Sequence, residues 1–133
     1  MTYFLDTNIC IYALKGKYPR ITFHLAKHTA DQIKIPAMVK AELLFGAQKS
    51  RQSAKTHVSV AKFLFPFEVV PFDDACVTEY VFLRQRLEKK GKPIGPNDMV
   101  IAATVLANSG ILITHNTKEF QRIPSLKVQD WTQ

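Results

Sequence analysis

Cysteine, glycine and tryptophan are scarce in this 133-residue chain, and no apolar run reaches membrane-spanning length. Cys10 and Cys76, the only cysteines, cannot build a disulfide framework and lack metal-ligand spacing. Each falls in an apolar helical pattern, which makes both core thiols. The four histidines, His24, His28, His57 and His115, form no His-Glu-x-x-His or Cys/His cluster, so zinc chemistry is unsupported. Without a run of about twenty apolar residues there is no transmembrane helix, and without low-complexity tracts there is no case for disorder. No repeat period or linker-like stretch divides the chain, and no phosphate-binding P-loop is present. The amino terminus has neither the basic start nor the apolar stretch of a signal peptide, so the expected location is cytoplasmic. Acids are also few. Eleven Asp and Glu stand against 18 Lys and Arg, a formal charge of +7, which favours a polyanionic partner such as nucleic acid. The basic residues gather at Lys15, Lys17 and Arg20, at Lys49, Arg51 and Lys55, and between Arg84 and Lys92; any one of these groups taken alone reads as a solvated helix face.

What is present is a hydrophobic fraction of 47%, enough for one domain over residues 1–133, since domains commonly run roughly 100 to 150 residues. Thr2 to Leu5 has the composition of a short buried strand, and Ile9, Ile11, Tyr12 and Leu14 follow at helical spacing. A helix is expected over Arg20 to Lys27 and a second strand over Ile33 to Pro36. Met38, Ala41, Leu44 and Phe45 mark the next helix, and Val58, Ala61, Phe63 and Leu64 another between Gln52 and Phe65. Phe45, Phe63 and Phe65 read most simply as core. After a third strand, Phe67 to Val70, Asp73 or Asp74 can cap a long helix with Val77, Tyr80, Val81, Arg84 and Leu87 on one face, ended by Gly91 and Pro93. Gly95-Pro96-Asn97 starts a further helix, nearly all apolar from Asp98 to Asn108, that Gly110 ends. Ile111 to Thr114 is a fourth strand and Leu126 to Val128 an edge strand. Strands alternating with helices mean an α/β fold with a parallel sheet covered on both faces.

Within this frame the apolar run Phe4-Leu5 stops on Asp6, at the carboxyl end of the first strand. That edge of an open α/β sheet is where ligands bind. Asp, Thr and Asn before a helix are also ordinary N-caps, so Asp6 alone decides nothing. Glu42, in the helix after strand two, and Asp98, opening the buried helix before strand four, stand in similar surroundings. Each has its own ordinary explanation: a solvated helical acid for Glu42, a first-turn acid facing the helix dipole for Asp98. Jointly they point elsewhere, because the topology can bring all three to one crevice. Carboxylates crowded in a cleft need a cation or a raised pKa, and an oxygen-rich site suits Mg²⁺ or Mn²⁺, as in phosphoryl-transfer enzymes. The stretch Thr114-His115-Asn116-Thr117-Lys118-Glu119-Phe120 follows strand four at the same edge. Asn116 could orient water or a metal ligand there, Glu119 could add a fourth acid, and Thr114 or Thr117 could hydrogen-bond within the site. His115 as a general base ranks below a surface-loop histidine.

These residues resemble the PIN-domain ribonucleases, specifically the VapC toxins of bacterial VapBC type II toxin–antitoxin pairs. The resemblance rests on Leu5-Asp6-Thr7-Asn8, on Ala41-Glu42-Leu43 with Gly46, on Pro93-Ile94-Gly95-Pro96-Asn97-Asp98, and on Thr114 to Phe120. Val128, Asp130 and Trp131 extend it over nearly the whole chain. It implies a PIN-like three-layer α/β/α sandwich around a mainly parallel sheet of four to five strands, and a homodimer. It further implies Mg²⁺- or Mn²⁺-dependent cleavage of RNA, leaving a 5′-phosphate and a 3′-hydroxyl, and a VapB antitoxin that obstructs the acidic site. The family's metal site falls on Asp6, Glu42 and Asp98, with Thr7 supporting and Asn8 helping to shape the turn. At Asn116 the chain departs from the general pattern, where many relatives carry an acid. The motifs most resemble VapC enzymes that cut initiator tRNA in its anticodon loop. Receiver-like and haloacid-dehalogenase readings fail, because Asn8 stands where the latter needs a second Asp and no acidic pair accompanies strand one. The competing reading is a PIN module that binds RNA or antitoxin without cutting, which would have no need to gather carboxylates near an anionic backbone.

Overall fold

The apolar run ahead of Asp6 forms the central strand of a sheet. In the computed structural model, which describes residues 1–133, β1 (Tyr3–Leu5) is followed by α1 (Thr7–Lys15), α2 (Pro19–Lys27) and a single 3-10 turn at Ala30–Gln32. Then come β2 (Ile33–Pro36), α3 (Ala37–Lys49), α4 (Ser53–Leu64), β3 (Glu68–Val70), α5 (Asp74–Lys89) and α6 (Pro96–Ala107). β4 (Ile111–Ile113), the short α7 (Thr117–Phe120) and β5 (Lys127–Gln129) complete the chain. No helix is long and apolar enough to cross a membrane.

The five strands lie in the order β3-β2-β1-β4-β5 and every pair is parallel. Parallel neighbours require crossovers, and right-handed crossovers place α1 to α4 over one face and α5 to α7 over the other. The result is the α/β/α sandwich. Strands covered on both faces must be apolar throughout. Phe4, Leu5, Ile33 and Ile35 are accordingly buried, as is all of Ile111–Ile113. From β1 the chain builds outward through β2 and β3, then returns across the sheet to β4. The direction of winding therefore reverses between β1 and β4, and the carboxyl ends of those two strands open a crevice. Asp6 and Thr114 are the residues that follow them.

The helices depart from sequence expectation in which face they bury. In α3 the buried stripe is Val39, Leu43 and Ala47, while Leu44 and Phe45 are exposed. In α4 it is Val60 and Leu64, with Val58 exposed. In α5 it is Cys76, Leu83 and Leu87, whereas Val77 and Val81 face solvent. Each of these helices carries apolar residues on more than one side, so the helical period admits two faces and tertiary contact chooses. Phe45 and Phe65 are not core: they are 63% and 91% exposed. Cys10 and Cys76 are free and buried, as their apolar settings require.

The end of α6 has two parts that the sequence merges. The left-handed residue is Ser109, at φ 52, and Gly110 serves a different need. A Cβ built on Gly110 would lie 2.4 Å from Cε2 and 2.5 Å from Cδ2 of Phe4, and 3.3 Å from the Thr2 carbonyl. Phe4 is itself 1% exposed and has nowhere to move. Gly110→Ala should therefore destabilise the protein by about 1–3 kcal/mol through overpacking, read as a lower denaturant midpoint with unchanged slope; an unaltered midpoint would show that the Phe4 ring yields.

Candidate active site

Each acid reaches the crevice by its own local device. The Asp6 backbone N–H donates to the Ile113 carbonyl at 3.0 Å, which pins it beside β4. Its Oδ1 accepts from the Ile9 N–H at 2.9 Å and caps α1, so capping and membership of the site coexist in one carboxylate that is only 6% exposed. Thr7, on the first turn of α1, donates its hydroxyl in a short bond to Glu42 Oε1. Glu42 arrives from α3, behind the neighbouring strand β2, and its Oε2 accepts from Asn97 Nδ2 at 3.3 Å. Asp98 follows Asn97 on the first turn of α6, where Pro96 presets the helix start. Glu119 comes from α7. Its Oε1 accepts from the Gly95 N–H at 3.1 Å and its Oε2 from Asn116 Nδ2 at 2.8 Å. Thr114 is fully buried, and its hydroxyl accepts from the Asn116 N–H at 3.0 Å.

The acids do not share charge equally. Burial raises the Asp6 pKa to about 6, helped by repulsion from Glu42 and Asp130 and opposed by the Thr114 hydroxyl and the Ile9 N–H. Burial and the Glu119 carboxylate raise Asp98 to about 7, with smaller repulsion from Asp6 and Glu42. For Glu119 burial pushes upward too, but the Gly95 N–H, Asn116, Asp98 and the nearby Arg122 outweigh it and lower the pKa. Of this pair Asp98 is the harder to ionise and Glu119 the easier. Like charges at close quarters split in this way when no cation compensates them.

A divalent cation fits the donor chemistry. The gathered side chains offer oxygen only, the preference of Mg²⁺ and Mn²⁺. No three Asp, Glu, His or Cys side chains converge closely enough to hold a metal ion between them, unlike the four-ligand sites of structural zinc. Mg²⁺ binds through one or two carboxylates and keeps its waters. Two carboxyls with raised pKa values mark a place short of positive charge.

The structure thus brings Asp6, Glu42, Asp98 and Glu119 together, with Thr7, Thr114 and Asn116 bonded among them. Asn8 is exposed on α1 and joins none of these bonds. Asn97 and Asp130, which the sequence places only within family motifs, gain roles beside Glu42 and Asp6 in the structure. Asn97 lies inside the Pro93–Asp98 stretch, where its place beside Asp98 was the available signal. Asp130 sits next to a buried tryptophan, and nothing in its spacing ties it to Asp6.

A family model described as PIN domain matches residues 3–126. The chain is 40% identical over 135 residues to Ribonuclease VapC2 of Rickettsia felis, covering 98% of each. It is 31% identical over 132 residues to the tRNA(fMet)-specific endonuclease VapC of Shigella flexneri, covering 99% of each. A crystal structure of VapBC2 from Rickettsia felis, bound to a DNA fragment from its promoter, matches with a TM-score of 0.91 and 38% identity, over 98% of this chain and 99% of that one. The chain belongs to the PIN domain family, and its fold is that of the VapC structures. Within that family, the full-length likeness shows that the chain belongs to the VapC ribonucleases.

The proton distribution has a consequence for stability. Asp6 and Asp98, ordinarily at 3.8, hold protons more tightly when folded. Their contribution is complete below about pH 4 and is lost as the pH rises through about 6 and 7, because the folded state then binds more protons than the unfolded one. Metal-free protein should melt at a lower temperature near pH 7.5 than near pH 5, with a flatter dependence in Asp98→Asn. Saturating Mg²⁺ should raise the melting temperature more at the higher pH. Calorimetric scans of wild type and variant with the same pH slope would contradict this.

Proposed function

We propose that this protein is the toxic component of a type II toxin–antitoxin pair, an endoribonuclease that hydrolyses RNA with Mg²⁺ or Mn²⁺, and that its substrate is tRNA. The observation that most supports this reading is the nearness of Asp6, Glu42 and Asp98 at the crevice between β1 and β4, close enough that repulsion among them raises the pKa of Asp6 and Asp98. These three would hold the cation, which when bound supplies positive charge against the phosphate and eases deprotonation of water. The remaining work falls to the chain. Ile9 fixes Asp6 through its N–H, and Thr7 and Asn97 orient the two oxygens of Glu42. Glu119, its two oxygens held by Gly95 and Asn116, would add a fourth acid to the site. In-line attack by water would form the new P–O bond and break P–O3′, the water's proton passing to solvent and the departing oxygen taking one from it, which leaves a 5′-phosphate and a 3′-hydroxyl. Lys15 lines the groove that also reaches Glu42 and, with other surface lysines and arginines, would hold the RNA backbone.

The partner follows from the same surface. A groove of about 480 Å³ runs between α1, α3 and α4, with Ile11, Leu14, Leu43 and Val60 along it and Glu42 at its edge. We assign it to the carboxyl-terminal segment of a VapB-type antitoxin, whose apolar side chains would fill it while the chain end obstructs the acids. The related Rickettsia felis protein was crystallised as VapBC2. The expected homodimer has exposed apolar side chains available for pairing, among them Phe45, Val77, Val81 and Phe82.

Incubation of the protein with total tRNA tests the activity and the substrate together. Cleavage should need Mg²⁺ or Mn²⁺, stop with chelator, and fall more than about a hundredfold in Asp6→Asn, beyond the usual loss from an outer-shell partner. Cutting in chelator, or an undiminished variant, would overturn the metal-nuclease reading. The product should be initiator tRNA opened in its anticodon loop, the substrate named in the Shigella flexneri relative; equal cleavage of many tRNA species would remove that choice while leaving the nuclease.

A further inference from the structure

Beside the acids stands a second group of side chains, linked to them through the repulsion between Asp130 and Asp6. His115 follows Thr114, and its ring contacts Asp130, which lies near enough to Asp6 to raise its pKa, so the ring stands beside the crevice. The imidazole is held on one edge: Nδ1 lies 2.9 Å from Asp130 Oδ2 and 3.2 Å from Thr132 Oγ1. Asp130 is in turn fixed by the Thr132 N–H at 2.9 Å and by its hydroxyl at 2.6 Å. Hydrogen bonds from Thr132 and His115 outweigh the cost of its burial and lower the Asp130 pKa. A carboxylate only accepts, so Nδ1 carries the proton and the ring plane is set. Tyr18 flanks the ring with centroids 5.6 Å apart and Tyr12 meets it edge-on at 6.2 Å. Lys17 Nζ rests 4.9 Å from the Tyr12 ring centre and 5.4 Å from that of Tyr18.

For all this bracing, the His115 side chain is 45% exposed. A ring braced by an acid, a hydroxyl and two tyrosines, yet left open, gains little from burial. Single-stranded RNA is recognised by stacking its unpaired bases on such rings, with cations on the adjoining backbone. Bracing settles the ring's rotamer before the base arrives, so less freedom is lost on binding. We propose that His115 is the stacking platform for an unpaired base adjoining the scissile phosphate, with Asp130 and Thr132 as positioning residues and Lys17 against a neighbouring phosphate. The inference rests on the ribonuclease reading and adds to it a place where the bound nucleotide is gripped.

The alternative use of an exposed histidine, proton transfer, is separated by substitution. Wild type, His115→Ala and His115→Phe are compared in steady-state cleavage of an anticodon stem-loop RNA, and in quenching of 2-aminopurine placed next to the scissile phosphate. His115→Ala should raise KM about tenfold, the loss of one stacked base, with kcat within about twofold of wild type, and should abolish quenching. His115→Phe keeps a flat ring without nitrogen and should stay within about threefold of wild type in both readings. An alanine variant that quenches and cleaves like wild type would overturn the platform, and so would a phenylalanine variant as impaired as alanine. If no variant cuts RNA, the nuclease reading falls and quenching alone decides: loss of quenching in alanine but not phenylalanine keeps the platform, and an unquenched wild type removes it.

Discussion

Asp6 is an acid that the fold cannot release into water. It ends the central strand, its N–H is tied to Ile113, and the crevice walls leave it 6% exposed. A carboxylate so placed pays for desolvation unless something stabilises its charge, and one N–H and one hydroxyl do so only in part. The rest of the site is arranged around that deficit. Asp98 ionises late because burial and the Glu119 carboxylate make its charge costly. Glu119 stays charged because Gly95 and Asn116 supply donors. Topology makes the gathering unavoidable, since the reversal of winding between β1 and β4 opens the sheet edge that receives Asp6 from one strand and the Thr114 loop from the other.

The same bonds keep the acids oriented before any ligand arrives. No buried side-chain oxygen or nitrogen lacks a partner. Thr7 and Asn97 clamp Glu42 from two helices on opposite sides of the crevice, and the capped start of α1 holds Asp6 against rotation. A site braced by its neighbours loses less freedom on binding than one that must assemble. Asn116 donates to Glu119 and so steadies that acid at the crevice.

Much of this was legible in the residues, and the reasons for the remainder are physical. Strands buried on both faces must be apolar, so Phe4-Leu5, Ile33 to Pro36 and Ile111 to Ile113 were readable as strands, and an acid ending the first of them stood out. The three leading acids were readable for the same cause, since each interrupts an apolar pattern. Which face a helix buries was not readable for α3, α4 and α5, where Phe45, Val58 and Val81 look like core by period and are exposed. The pairing of Glu42 with Asn97, and of Glu119 with Gly95, joins residues far apart in the chain, and no spacing rule reports such contacts. Gly110 reads as a helix stop, whereas only the Phe4 ring shows why that position must be glycine.

A divalent cation would satisfy the charge deficit at Asp6 and Asp98, and titration calorimetry measures whether it does. Mn²⁺ titrated into the protein near pH 6.5, in two buffers of different ionisation enthalpy, should bind with heats that differ between buffers, because metal uptake displaces the protons these carboxyls retain. On the order of one proton should be released per ion, and both binding and release should be lost in Asp6→Asn. Binding without proton release, or binding unaltered by that substitution, would contradict it.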